Sequence, residues 1–182
     1  MTSTREIAAR LNSIEADIAT LALDAIVNAA NEPLIVGGGV DGAIRRKAGR
    51  EMEDDLRRIG RCPTGKAVIT RGYRLPAKFV IHTVAPVWSQ GGARPEEKER
   101  LLAACYSNAL ALADANSIET IAFPCIGTGI YAWPADRAAE IALSAIVGHM
   151  KNSARLTMVT FCCFSSADRD RYAAAIARLA QS

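Results

Sequence analysis

Asn28-Ala29-Ala30-Asn31-Glu32-Pro33-Leu34-Ile35-Val36-Gly37-Gly38-Gly39-Val40-Asp41-Gly42 decides how this chain is read. The segment leading into it, residues 24–27, reads as an apolar β-strand that ends in polar asparagine. The segment leaving it, residues 42–48, reads as a helix. Three adjacent glycines let the backbone turn tightly and aim its N–H groups at a ligand with no side chain in the way. A helix start adds unpaired N–H groups and the positive end of its dipole. A phosphate or pyrophosphate is the natural guest of such a turn. Asp41 sits inside this anion cradle, where its own charge would be repelled. That conflict suggests that Asp41 acts on the ligand rather than merely holding it.

Outward from this segment, β-prone runs alternate with longer helical patterns. The strands are expected at 11–15, 25–29, 66–72, 79–84, 120–124 and 156–161, and the helices at 42–48, 51–60, 96–115, 134–149 and 167–180. Pro134 fits a first helical turn and Ser166 an N-cap. Alternation of this kind predicts an α/β layered fold with a largely parallel sheet covered on both faces. The 66–72 and 79–84 strands are too close for a helical crossover, so this pair is expected to be antiparallel and the sheet mixed. Residues 89–95 read as a loop. Ligands collect outside the carboxyl ends of such strands. The residues expected there are 28–41, 125–131 and 162–165, so two glycine-bearing loops share one rim of the sheet.

Several chemistries are tested against these residues. Gly37 to Gly42 formally spells Gly-x-Gly-x-x-Gly, but residues 31–36 separate it from its strand. The acidic residue that a dinucleotide site needs about 20 positions on is also missing. No Walker-type Gly-x-x-x-x-Gly-Lys-[Ser/Thr] occurs. A Cys125–His82 nucleophile pair is disfavoured because His82 lies in an apolar run, where a hydrogen-bonded buried histidine is the commoner outcome. Cys125 reads as a small packing residue.

The 182 residues carry a net charge of +3 and are 50% hydrophobic. These values fit one globular domain over residues 1–182. Basic and acidic residues are interleaved with no basic stripe, so a nucleic-acid partner is disfavoured. No signal peptide and no membrane span is read. The five cysteines show no Cys-x-x-Cys pair and there are only two histidines, so no structural zinc site is expected. Reduced thiols in a cytoplasm are the plain reading.

Taken together, several motifs resemble the macrodomain family, specifically its MacroD-type branch. They are Asn28-Ala29-Ala30-Asn31, Gly37-Gly38-Gly39-Val40-Asp41-Gly42-Ala43-Ile44, Cys62-Pro63-Thr64-Gly65, His82-Thr83-Val84-Ala85-Pro86-Val87-Trp88 and Gly129-Ile130-Tyr131-Ala132-Trp133-Pro134. The similarity runs from about Arg10 to the C-terminus. It implies a three-layer α/β/α sandwich whose cleft binds ADP-ribose. It also implies a hydrolase that removes ADP-ribose from acidic side chains and deacetylates O-acetyl-ADP-ribose. No metal or cofactor is required. The implied partners are ADP-ribose, O-acetyl-ADP-ribose and mono-ADP-ribosylated proteins.

Carried over by position, Asp17 and the Ile18 amide meet adenine and Phe164 stacks on it. The amides of Gly37, Gly38, Gly39 and Val40 embrace the pyrophosphate together with those of Gly127, Thr128, Gly129 and Ile130. Tyr131 walls the distal ribose, and Asn31 and Asp41 position that ribose and the attacking water. The alternative is a non-catalytic reader of ADP-ribose, which has no need of a carboxylate beside the pyrophosphate. Several positions depart from the family pattern. Val36 replaces a glycine, narrowing the entrance to the first loop. Arg45 stands where relatives often have His, and Gly127 where they commonly have Ser. Ala85 and Ala132 replace glycines, and Trp133 replaces a Tyr or Phe.

Overall fold

In a computed structural model of the chain, residues 2–88 and 94–181 are described. Six strands form one sheet: β1 Leu11–Glu15, β2 Ala25–Ala29, β3 Ala67–Arg71, β4 Phe79–Thr83, β5 Thr120–Phe123 and β6 Met158–Cys163. Their order across the sheet is β1-β6-β5-β2-β4-β3. All neighbours are parallel except β3, which runs antiparallel to β4, as the short gap between them requires. The helices are α1 Thr4–Ala8, α2 Gly39–Ala48, α3 Arg50–Ile59, α4 Pro95–Ala115, α5 Ala135–Met150 and α6 Ser166–Gln181, with a 3₁₀ turn at Ile18–Thr20.

Strand periodicity sorts the core into two. Ala25, Val27, Ile81, Ile121, Phe123, Val159 and Phe161 face a cluster built on α1, α4, α5 and α6. Ile26, Val80, Ala122 and Cys162 face the other way, onto Ile44 and Ala48 of α2 and Met52 and Leu56 of α3. Alternate residues of one buried strand thus feed two apolar layers, which is the expected α/β/α sandwich.

Several expected boundaries move. β6 spans Met158–Cys163 rather than 156–161, because its ladder with β1 runs out to Cys163 opposite Glu15. Leu156 precedes it as a buried anchor whose carbonyl accepts from Arg10. α2 begins at Gly39 instead of residue 42, so the glycine run supplies the first helical turn as well as the loop. Pro134 is the N-cap of α5 rather than a first-turn residue. Before α6 the cap is Ser165, whose hydroxyl accepts from the Asp168 amide at 3.2 Å, and Ser166 is already helical. The loop expected at 89–95 falls mostly on residues outside those described. Among the described residues no helix is long and apolar enough to cross a membrane.

Candidate functional site

The carboxyl ends of the parallel strands meet along one rim in the order β1, β6, β5, β2, β4. Asp17 and Ile18 follow β1, and Phe164 follows β6. Residues 127–131 follow β5, residues 31–40 follow β2, and residues 84–88 follow β4. Neighbouring strands lie about 4.8 Å apart, so this row of loops spans roughly 19 Å.

Two hollows along the rim are lined by amides. At the start of α2, Gly38 is the N-cap and Gly39 takes φ +55. The amides of Gly38, Gly39 and Val40 have no partner among the described residues, as at any uncapped helix start. In the second loop the amides of Gly129, Ile130 and Tyr131 are likewise unpartnered among the described residues. The Gly127 and Thr128 positions shape that loop, with Gly127 at φ +86 and the Thr128 amide and hydroxyl both bonded to the Cys125 carbonyl. The flanks carry large apolar side chains held in water: Phe164 is 97% exposed, Ile130 93%, and Ile35 and Val36 62% each. Exposed apolar side chains beside unpaired amides offer surface that a ligand can cover.

At the β1 end Asp17 caps the 3₁₀ turn through its Oδ1, which accepts from the Ala19 amide at 2.9 Å. Its Oδ2 pairs with Lys47 on α2 at 3.1 Å. Partial burial pushes its carboxyl up, but the Ala19 amide and Lys47 outweigh that and hold it below the usual range. The Ile18 amide beside it has no partner among the described residues.

Asp41 is a buried carboxylate. It is only 3% exposed, on the first turn of α2. Its Oδ1 accepts from Asn28 Nδ2 at 2.7 Å and from Arg45 Nε at 2.9 Å, and its Oδ2 accepts from the Gly37 amide at 2.7 Å. A carboxylate offers about four acceptor positions. Three are taken, and the one left is on Oδ2. That oxygen faces the Cα of Gly37: a Cβ built there would meet Asp41 Oδ2 at 3.3 Å and Asn31 Nδ2 at 3.5 Å. The missing side chain of Gly37 therefore leaves room for a hydroxyl or water between Asp41 and Asn31. Asn31 closes its own loop, donating to the Ile35 carbonyl at 2.9 Å and accepting from the Ile35 amide at 3.0 Å. The repulsion expected inside the anion cradle is offset by Arg45, whose side chain is 2% exposed.

Asn28 extends this network across the sheet. β2 and β4 place Asn28 opposite His82, and Asn28 Nδ2 lies 3.1 Å from His82 Nδ1. His82 Nε2 lies 3.0 Å from the Thr70 hydroxyl, which itself donates to the Arg71 carbonyl. Both hydrogens of Asn28 Nδ2 are thus used, and the partners assign the proton of His82 to Nε2. Burial first, then the charge of Arg45, pushes the His82 imidazole down to about 3. Cys125 packs into the core on the α4/α5 side, while His82 faces α2 and α3 like its strand neighbour Val80. The disfavoured Cys–His pair is therefore separated by the sheet.

A neutral buried histidine makes stability depend on pH in a fixed direction. Below its ordinary value of 6.5 the unfolded chain takes up a proton at His82, and the folded chain does not until about 3. Stability is therefore full above the unfolded value and falls with pH. The loss between pH 6.5 and about pH 5 is about 2 kcal/mol for this one group. Urea unfolding at several pH values should show that slope in the native chain. It should be absent from His82→Asn, whatever that variant's absolute stability. An unchanged slope would mean that His82 is charged in the fold.

Tyr131 is half-buried. Burial, then the negative charges of Glu32 and Asp41, push its phenol up. Its carbonyl accepts from the Trp88 amide at 2.9 Å, which ties the second loop to the segment after β4. Among the described residues no cluster of three or more His, Cys, Asp or Glu side chains is placed to hold a metal ion.

The Macro domain family profile matches residues 27–142. ADP-ribose glycohydrolase MACROD2 of Xenopus laevis is 48% identical, over 87% of this chain and 38% of that protein. O-acetyl-ADP-ribose deacetylase of Citrobacter rodentium is 49% identical, over 85% of this chain and 88% of that protein. The Oceanobacillus iheyensis macrodomain with ADP superposes with a TM-score of 0.88 at 38% identity, covering 94% of this chain and 92% of that chain.

Proposed function

Because the chain belongs to the macro domain family, we propose that it binds ADP-ribose along the strand rim and hydrolyses esters of its distal ribose. The substrates are O-acetyl-ADP-ribose and proteins mono-ADP-ribosylated on Glu or Asp. The observation that carries this reading is the order of the rim. A base site (Asp17, Ile18, Phe164), two amide hollows and an acid–amide pair (Asp41, Asn31) follow one another as β1, β6, β5 and β2 do. ADP-ribose has the same linear order of base, diphosphate and sugar. Of the relatives' names, deacetylase agrees with ester chemistry at that sugar, while glycohydrolase names hydrolysis at the sugar's glycosidic carbon.

In this reading the Gly38 to Val40 and Gly129 to Tyr131 amides take the diphosphate, and the positive end of α2 adds to its binding. Asn31 and the free acceptor position of Asp41 hold the sugar hydroxyl and the water. The water adds to the ester carbonyl, the acyl–oxygen bond breaks, and the ribose oxygen leaves with the proton. A diphosphate oxygen of the substrate helps to take the proton of the water. The whole of residues 1–182 acts as one domain. Five free cysteines support a cytoplasmic setting.

One observation favours a second reading, a non-catalytic reader: three of the acceptor positions of Asp41 are already occupied. Turnover separates the two. Calorimetry is expected to show ADP-ribose binding, and an assay of released ADP-ribose from a glutamate-linked peptide or from the acetyl ester is expected to show hydrolysis. Binding with no hydrolysis of either ester would establish the reader.

The base end has its own test. Losing a hydrogen bond to a charged group costs about 1.5–3 kcal/mol, or roughly 10- to 100-fold in affinity. Asp17→Ala should weaken ADP-ribose by that factor and ribose 5-phosphate hardly at all. Equal losses for both ligands would mean that adenine does not lie over Asp17.

A further inference from the structure

Arg45 is a buried charge, its side chain 2% exposed, and its guanidinium has three partners on three different elements. Nε donates to Asp41 Oδ1 at 2.9 Å, Nη1 to Glu53 Oε2 on α3 at 2.8 Å, and Nη2 to the Leu34 carbonyl at 3.1 Å. Leu34 is buried at φ +55, a backbone conformation that non-glycine residues rarely adopt, in the loop between Asn31 and Gly37. The same loop is closed by Asn31 on Ile35 and joined to Asp41 through the Gly37 amide. One rigid fork therefore holds both the carboxylate and the loop that carries its partner Asn31. Lysine or histidine in its place lacks the geometry to reach all three acceptors.

We propose that Arg45 is a positioning residue of the hydrolysis, fixing the Asp41 carboxylate and the 31–37 loop in the one arrangement that leaves a single acceptor position open to the sugar. Glu53 anchors the far side of the fork. The proposal rests on the reading of Asp41 as the group that addresses the distal ribose. It adds that this chain sets the geometry with a guanidinium where relatives often have an imidazole. A misplacement of about 1 Å at a reacting centre costs on the order of 100-fold in rate. The diphosphate amides of α2 and the second loop do not touch Arg45, so ligand affinity is far less exposed to its loss.

The test compares wild type, Arg45→Ala, Arg45→Lys and Glu53→Gln on the acetyl ester, with ADP-ribose calorimetry beside it. Turnover by the wild-type chain tests the hydrolase reading, and the ratios between variants test Arg45. Arg45→Ala is expected to lose about 30- to 100-fold in kcat. KM and the ADP-ribose Kd should move by less than about threefold, because the loss is in the geometry of reaction. Millimolar guanidinium, far below the molar range that unfolds proteins, should restore at least part of that kcat, and ammonium should not. Glu53→Gln keeps the fold because Glu53 is half-buried at the surface end of the fork, and its kcat should fall in the same direction by less. Without substrate, hydrogen exchange at the Gly37 amide should quicken in Arg45→Ala, since its acceptor is no longer held. A kcat within threefold of wild type in Arg45→Ala would overturn the proposal. Full kcat in Arg45→Lys, or a loss seen in Kd with no guanidinium rescue, would overturn it equally.

Discussion

Asp41→Ala is expected to lower turnover of an ADP-ribosyl ester by about 10²- to 10⁴-fold, the usual contribution of one positioned group that handles the proton of the attacking water. The same substitution has a second consequence. It leaves the buried Arg45 guanidinium with Glu53 as its one remaining carboxylate partner. Breaking a buried ion pair by removing one partner costs about 3–5 kcal/mol, a large share of the stability of an ordinary domain. Loss of activity alone is therefore ambiguous. The double variant Asp41→Ala/Arg45→Met, compared with Arg45→Met alone for turnover, separates the two effects, because removing both charges of a buried pair is often close to neutral. It should recover most of the urea midpoint lost by the single variant and still fail to release ADP-ribose. ADP-ribose should still bind, since the amides of Gly38, Gly39 and Val40 remain at the α2 start. Turnover within tenfold of Arg45→Met in the double variant would remove Asp41 from the mechanism.

The middle of the sheet was legible because β2, β4, β5 and β6 are buried along nearly their whole length, and the antiparallel β3–β4 pair because a six-residue gap cannot hold a crossover helix. α1 was missed although Ser3-Thr4-Arg5-Glu6 is a capping box, with the Ser3 hydroxyl accepting from the Glu6 amide and the Glu6 carboxylate from the Ser3 amide. Five residues are too few for helical periodicity to show. The start of α2 was placed late because glycine is a poor helix former. Here the first turn uses glycines to leave its amides bare. At the site, the glycine run, Asn31 and Asp41 were read correctly as neighbours, and His82 as a buried, hydrogen-bonded histidine. What the sequence hid was the pairing of Asp41 with Arg45. Its one local trace is their i,i+4 spacing on a helix, which brings side chains together. The contacts of Arg45 with Leu34 and Glu53 come from the packing of the loop and α3 and have no trace in spacing.

A similar hidden coupling joins Gly127 and Trp133, two departures from the family pattern that look unrelated in the sequence. Gly127 holds φ +86, and a Cβ there would lie 2.6 Å from Trp133 Cδ1 and 3.1 Å from its Cγ. The indole cannot easily retreat. It is 3% exposed, its Nε1 donates to the Pro86 carbonyl at 2.8 Å, and its ring lies 4.7 Å from that of Trp88. Gly127→Ser therefore meets a left-handed backbone cost of about 1–2 kcal/mol and an overpacking cost of about 1–3 kcal/mol. The Trp133 amide also donates to the Gly127 carbonyl at 3.0 Å, so the strain is relieved most readily by shifting the loop that carries the Gly129 to Tyr131 amides. If that shift takes up about 1.4 kcal/mol of it, ADP-ribose affinity falls about tenfold. Trp133→Tyr alone should also weaken binding, because the Pro86 hydrogen bond and the Trp88 contact are lost. Combined with Gly127→Ser it should weaken binding less than the two single effects predict, because the smaller ring vacates the space that the serine Cβ needs. Calorimetry on the four proteins of that cycle should give a coupling of at least about 1 kcal/mol in favour of the double variant, well above the scatter of independent sites. Strict additivity would mean that serine at 127 is tolerated beside the indole and that the two departures arose separately. A favourable coupling would make them one exchange, in which the indole fills the space that a side chain at 127 would otherwise occupy.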